Sequence, residues 1–171
     1  MPPFLRLLLT IFILYGAFSF FFGSSKSTQK ETKSKPNQEV SVSKIIPIQS
    51  LVGKSEKDVA QILGKGEQSE KVKPRNTPCQ DKGCDKIAYQ AGKYNVVYIN
   101  GKADWITINN VSEYVLDEKA IALLGIEPRN ASFKNPSMVI RWEQVEGINE
   151  ISFFNNGSDK IDYIYVKAFT K

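Results

Sequence analysis

Three regimes of polarity divide the chain. From Phe4 to Phe22 nearly every side chain is apolar, and Arg6 is the one charge. From Ser24 to Ser43 the composition turns to Ser, Lys, Thr, Gln, Pro and Asn, too polar to bury a core, which predicts an unfolded spacer. From Lys44 onward apolar residues return in ordered patterns. Val59-Ala60-Gln61-Ile62-Leu63-Gly64 and Ala120-Ile121-Ala122-Leu123-Leu124-Gly125 each read as a short helix closed by glycine. Start signals precede both: Ser55 with Asp58 forms a variant capping box, and Asp117 stands before Glu118 as an N-cap. After each helix the pattern changes to alternation with turn signals, the mark of antiparallel strands.

Two hairpins are the best-defined parts of that alternation. Tyr94 to Asn100 runs into Asn100-Gly101 and out through Asp104 to Ile108; Ile151 to Asn155 runs into Asn156-Gly157 and out through Asp162 to Val166. Asn-Gly is the strongest short hairpin signal, because both residues accept the positive φ that a type I′ turn needs. With unbroken alternation, Val97, Ile99, Ile106 and Ile108 share the core face of the first hairpin. Ile151, Phe153, Ile164 and Val166 share that of the second. The opposite faces then collect Tyr94, Val96, Tyr98 and Trp105 in one half, and Phe154, Ile161, Tyr163 and Tyr165 in the other.

The body thus reads twice, over about 48–112 and 113–169, and Lys73-Pro74 is echoed by Asn135-Pro136. The expected fold class is α+β: two tandem units, each a short helix followed by an antiparallel sheet, preceded by an N-terminal hydrophobic helix. The 44–171 body has the size of one domain. Gly53-Lys54-Ser55 through Leu63-Gly64, with the strand pattern after it, resembles the β-lactamase inhibitor protein fold in tandem form. In single copy it resembles the small lipoprotein of the outer-membrane β-barrel assembly machinery. The resemblance spans Ile48 to Phe169 and implies a non-enzymatic binder outside the cytoplasm. No cysteine follows the apolar run to accept a lipid, so the lipoprotein role itself is not implied. The run from Tyr98 to Ile108 also resembles a segment of uncharacterised bacterial exported proteins.

The N-terminal run supports two readings, a single membrane anchor or a cleaved export signal spanning 1–23. Its charge-free part, Leu7 to Phe22, would span about 24 Å as a helix against a hydrocarbon core of about 30 Å, so an anchor needs Phe4 included and Arg6 reaching the interface. Gly23-Ser24-Ser25 offers the small residues a signal peptidase requires. The lysines that follow, Lys26, Lys30, Lys33 and Lys35, would hold the body on the cytoplasmic side. Cys79 and Cys84 argue the other way, since the Pro78-to-Cys84 loop suits a small disulfide ring. Free thiols, or an incomplete zinc site with Asp81 and Asp85, are the competing readings of that pair. Export and a disulfide agree, which favours a body outside the cytoplasm, membrane-bound or secreted.

Charge and chemistry narrow the function further. The net charge is +5, yet the basic residues of the body alternate with acids instead of forming the stripe that nucleic acid requires, so nucleic acid is not an expected partner. The chain has no histidine, and its paired carboxylates have no spacing that forces them into a cleft. A serine nucleophile would need a lysine base, and Gly53-Lys54-Ser55 lacks the glycine and strand of a phosphate loop. The Asn110, Asn130 and Asn156 sequons read as turn residues unless the source glycosylates exported chains. No cofactor, metal or catalysis is expected. Binding through an aromatic sheet face is, with Tyr94, Tyr98, Trp105, Tyr163 and Tyr165 as contacts to a protein partner. The rival expectation is a structural envelope component whose aromatic faces are merely packed.

Overall fold

The computed structural model describes residues 43–170; the N-terminal apolar run and most of the spacer lie outside them, and so do the expectations placed on them. Among the described residues no helix is long and apolar enough to cross a membrane. The fold is α+β, one eight-stranded antiparallel sheet with a few short helices. The strands are β1 (Gln68–Val72), β2 (Cys84–Tyr89), β3 (Tyr94–Ile99), β4 (Lys102–Ile108), β5 (Phe133–Asn135), β6 (Val139–Val145), β7 (Ile148–Asn155) and β8 (Ile161–Lys167). Their spatial order is β1-β2-β3-β4-β8-β7-β6-β5. Each half is a four-stranded meander, and the halves meet where the last strand of one pairs with the last strand of the other, Trp105 to Ile108 against Ile164 to Lys167. Pro74 and Pro136 follow the two edge strands, where a missing N–H costs no ladder bond.

Most of the helical residues cover one face. Helix α1 (Glu56–Leu63) starts at the predicted capping box: the Ser55 hydroxyl accepts from Asp58 N while the Asp58 carboxylate accepts from Ser55 N. Val59 and Leu63, one turn apart, bury into the sheet. In the second half the helical segment is a 3-10 helix, Glu118–Leu124, capped by Asp117 and ended by Gly125 in the left-handed conformation. Gly64 ends α1 differently, at φ 90° and ψ 179°, so the predicted left-handed closure holds only for the second half. Ile48, Leu51, Ile121, Leu123 and Leu124 complete the layer over Ile106, Ile140, Trp142, Ile151, Phe153, Ile164 and Val166. Each such side chain, fully buried, contributes about 1.5–3 kcal/mol.

The first hairpin turns its aromatic residues inward, contrary to the alternation read from the sequence. Tyr94, Val96 and Tyr98 lie in the main core, whereas Val97 and Ile99 lie on the other side of the sheet. The cause is a β-bulge. Asn100-Gly101 forms the expected two-residue turn, with φ of 53° and 73°, and Tyr98 pairs Ala103; but Val97 then pairs Trp105, leaving Asp104 unmatched. One extra residue exchanges the faces of every position beyond it. The second hairpin has its bulge in the same place: Asn155 pairs Ile161 and Phe153 pairs Ile164, so Asp162 and Tyr163 together oppose Phe154. Ile161 is thereby drawn into the core, while Ile151, Phe153, Ile164 and Val166 keep the core face expected of them.

Tyr94 and Tyr98 are therefore core residues and not contacts, at 3% and 6% exposure. The Tyr98 hydroxyl lies 2.7 Å from that of Tyr89, itself fully buried. Burial pushes both phenols up from their ordinary range, Tyr98 furthest. Each hydroxyl satisfies the other, which makes a specific expectation. Tyr98→Phe strands the Tyr89 hydroxyl and should cost about 2 kcal/mol, whereas Tyr89→Phe with Tyr98→Phe removes both polar groups and should recover most of that. Urea unfolding of the single and double variants checks it; equal losses at each step would mean the pair is not coupled.

Candidate functional site

The side of the sheet away from the helices, the outer face, is organised in two cross-strand rows. One runs Gln68, Ala88, Asn95, Thr107, Tyr165, Ser152, Arg141 and Phe133; the other runs Glu70, Lys86, Val97, Trp105, Lys167, Glu150 and Glu143. In the first half of the sheet the first row holds short side chains, Ala88, Asn95 and Thr107. The taller Val97, Trp105 and Tyr165 stand beside them. The difference in height makes a hollow of about 290 Å³ lined by Val72, Pro74, Lys86, Asn95, Val97, Trp105, Thr107 and Tyr165. Lys86 and Asn95 are shared with a second depression of about 480 Å³ that opens toward the β1 edge past Gln68 and Glu70.

Three of the five sequence-predicted contact residues meet on this face. Trp105 and Tyr165 touch edge to face, with centroids 6.1 Å apart at 71°, and Tyr163 stacks on Phe154 at 4.5 Å and 15°. All four are half-buried, so each keeps solvent-facing ring surface while its orientation is set by a neighbour. Lys167 places its ammonium 5.5 Å from the Trp105 ring centroid, within cation–π range. The Trp105 indole N–H donates to the Thr170 hydroxyl, which fixes the tilt of the ring. Burial, followed by the nearby Glu150 and Asp104 charges, raises the Tyr165 phenol well above its ordinary range, so it presents a neutral O–H donor.

Several residues of the face escaped the sequence reading. Arg141 Nε donates to the fully buried Ser152 hydroxyl at 3.0 Å, Ser152 Oγ donates to Glu150 at 2.8 Å, and Arg141 lies 3.4 Å from Glu150. This triad holds Arg141 in the same cross-strand row as Tyr165, with Ser152 between them. The signal for it was present in Arg141-Trp142, a charge and an aromatic at adjacent strand positions, which must face opposite ways. Ser152 has no exposed surface and donates to a carboxylate, so it is no nucleophile. The outer face presents flat aromatic area, the amides of Gln68 and Asn95, the hydroxyls of Thr107, Tyr163 and Tyr165, and the cations Lys86, Arg141 and Lys167 beside the carboxylates Glu70, Glu143 and Glu150.

The cysteines form the disulfide Cys79–Cys84, which disposes of the free-thiol and zinc readings. It ties helix α2 (Cys79–Lys82) to the start of β2. Cys79 is buried against Val97 and Ile99, with Val72, Cys84 and Trp105 packed around them, so a small apolar cluster of its own sits on the outer face, apart from the main core. No protein-family model matches this chain, and neither a curated protein nor a solved structure does.

Proposed function

We propose that the chain is a non-enzymatic protein-binding module, exported or tethered by its N-terminal segment, which docks a protein partner on the outer face of its sheet. The observation that carries this reading is the group of half-exposed aromatic rings, Trp105, Phe154, Tyr163 and Tyr165, held in orientation on the face opposite α1 and the 3-10 helix Glu118–Leu124. Aromatic anchors of fixed geometry give contact area at low entropic cost, which is why interfaces concentrate them. The disulfide suits an oxidising compartment and so supports a body outside the cytoplasm. On the same reading the two meanders are copies of one helix-plus-sheet unit of the kind to which the sequence bears a resemblance, and their equivalent bulges at Asp104 and Asp162 support that.

Site-specific photo-crosslinking tests the assignment. A photoreactive phenylalanine analogue placed at Tyr163 or Trp105 in the native host should yield a discrete protein adduct. The same analogue at Gln61, exposed on α1 of the helical face, should yield none. Adducts from Gln61 alone would move the interface to the helices. Absence of adducts from all three positions would favour a structural envelope component with no discrete partner.

A further inference from the structure

The disulfide belongs to the outer face and not to the main core. The connection from β1 to β2 folds on itself: the Thr77 hydroxyl donates to Pro74 O and accepts from Cys79 N, Asn76 N donates to the Gln80 side chain, and Gly83 N donates to Cys79 O. This segment, 73–83, forms one wall of the hollow through Pro74 and roofs Val97 and Ile99 through Cys79. A single covalent bond, Cys79–Cys84, closes it onto the sheet. The ring spans few residues, so breaking it leaves the connectivity of the eight strands and the main core as they were.

We propose that Cys79–Cys84 is a reducible latch on the wall of the outer-face hollow, opened by an external dithiol. Cys79 has no exposed surface while Cys84 is half-buried, so attack falls on the Cys84 sulfur. The incoming thiolate forms a mixed disulfide with Cys84, and the Cys79 sulfur leaves with the bonding pair and takes a proton from water. The second thiol of the reductant then attacks its own sulfur in the mixed disulfide, releasing Cys84 as a thiol and leaving the reductant as a cyclic disulfide. Two electrons pass from the dithiol to the protein. Apolar surroundings from Val97 and Ile99 keep the released Cys79 sulfur as a neutral thiol, and with the covalent tie gone segment 73–83 is free to open. The hollow then loses its Pro74 wall and extends past Val97 to Ile99. The bearing of this change on recognition rests on the reading of the outer face as a docking surface; the latch itself does not, and is tested with no partner present.

Amide hydrogen exchange of the full chain, oxidised and after dithiothreitol, decides the matter, with the Cys79→Ser, Cys84→Ser double variant as a control free of reductant. Exchange at Asn76, Cys79, Gln80 and Gly83 should accelerate by about tenfold or more, while β4, β7 and β8 change by less than about twofold. The double variant should match the reduced protein. An unchanged 73–83 segment, a bond that dithiothreitol leaves intact in the native protein, or loss of protection throughout the sheet would each overturn the latch. A latch that opens in a protein whose Tyr163 and Trp105 probes capture nothing would leave the latch standing and remove the docking role.

Discussion

Asp104→Ala is expected to lower the stability of the domain by about 3 kcal/mol. Charge-assisted hydrogen bonds contribute about 1.5–3 kcal/mol each, and these share one oxygen, so they fall short of adding. The Asp104 carboxylate is 3% exposed, and its Oδ1 accepts from Phe169 N at 3.0 Å, from Thr170 N at 3.3 Å and from the Thr170 hydroxyl at 3.2 Å. Its backbone carbonyl accepts from Ala168 N at 2.8 Å. The substitution therefore removes the side-chain acceptor for the residues that follow β8, and through Thr170 it also frees the Trp105 indole. Asp104→Asn keeps an oxygen in place and should lose about half as much. Asp162 occupies the matching bulge but is exposed, so Asp162→Ala should stay within about 0.5 kcal/mol of the parent. Urea unfolding followed by circular dichroism reads all three. Equal effects of Asp104→Ala and Asp162→Ala would sink the assignment, since it rests on the one difference between the two bulges.

Trp142→Ala should cost about 3–5 kcal/mol, the range for deleting a buried aromatic side chain and leaving a cavity. Trp142 has no exposed surface, packs edge-on against Phe153 with centroids 5.2 Å apart, and donates its indole N–H to Arg129 O at 3.1 Å. That bond draws the chain before β5 across the end of the core. Trp142→Phe preserves most of the volume and loses the bond, so it should cost about 1–2 kcal/mol. A loss under about 1.5 kcal/mol for the alanine variant would mean that the neighbouring Ile140, Val145 and Ile151 collapse into the space.

The features that local chemistry determines were readable from the chain alone. Ser55 with Asp58, Asp117 before its helix, and the Asn100-Gly101 turn each depend on residues within a few positions of one another, and each formed as expected. The core face of β7 and β8 was readable too, because two departures cancel there: an odd loop of five residues, Asn156 to Lys160, joins the paired Asn155 and Ile161, and the bulge adds one residue more, so Ile151, Phe153, Ile164 and Val166 keep their faces. In the first hairpin the period-2 count failed, because the bulge at Asp104 is stabilised by Phe169 and Thr170, far along the chain. A warning was available: unbroken alternation would have set Lys102 and Asp104 on the same face as Ile106 and Ile108, an anion and a cation in an apolar row. That conflict moves Tyr94 and Tyr98 into the core and leaves Trp105, Tyr163 and Tyr165 as the part of the predicted contact set that lies on the outer face. Burial of Cys79 under its own small cluster had no local signal, since Val97 and Ile99 reach it only after the sheet has formed.

The pairing of β4 with β8 orders events during synthesis. Ribosomes deliver the first meander with the β4 edge bare, a row of unpaired N–H and C=O groups beside Trp105, Ile106 and Ile108. The strand that covers this edge is β8, the last of the eight, so the central seam closes only after nearly all of the sheet has been made. Ladders between such distant segments form slowly, and until this one closes the nascent chain carries a sticky strand edge.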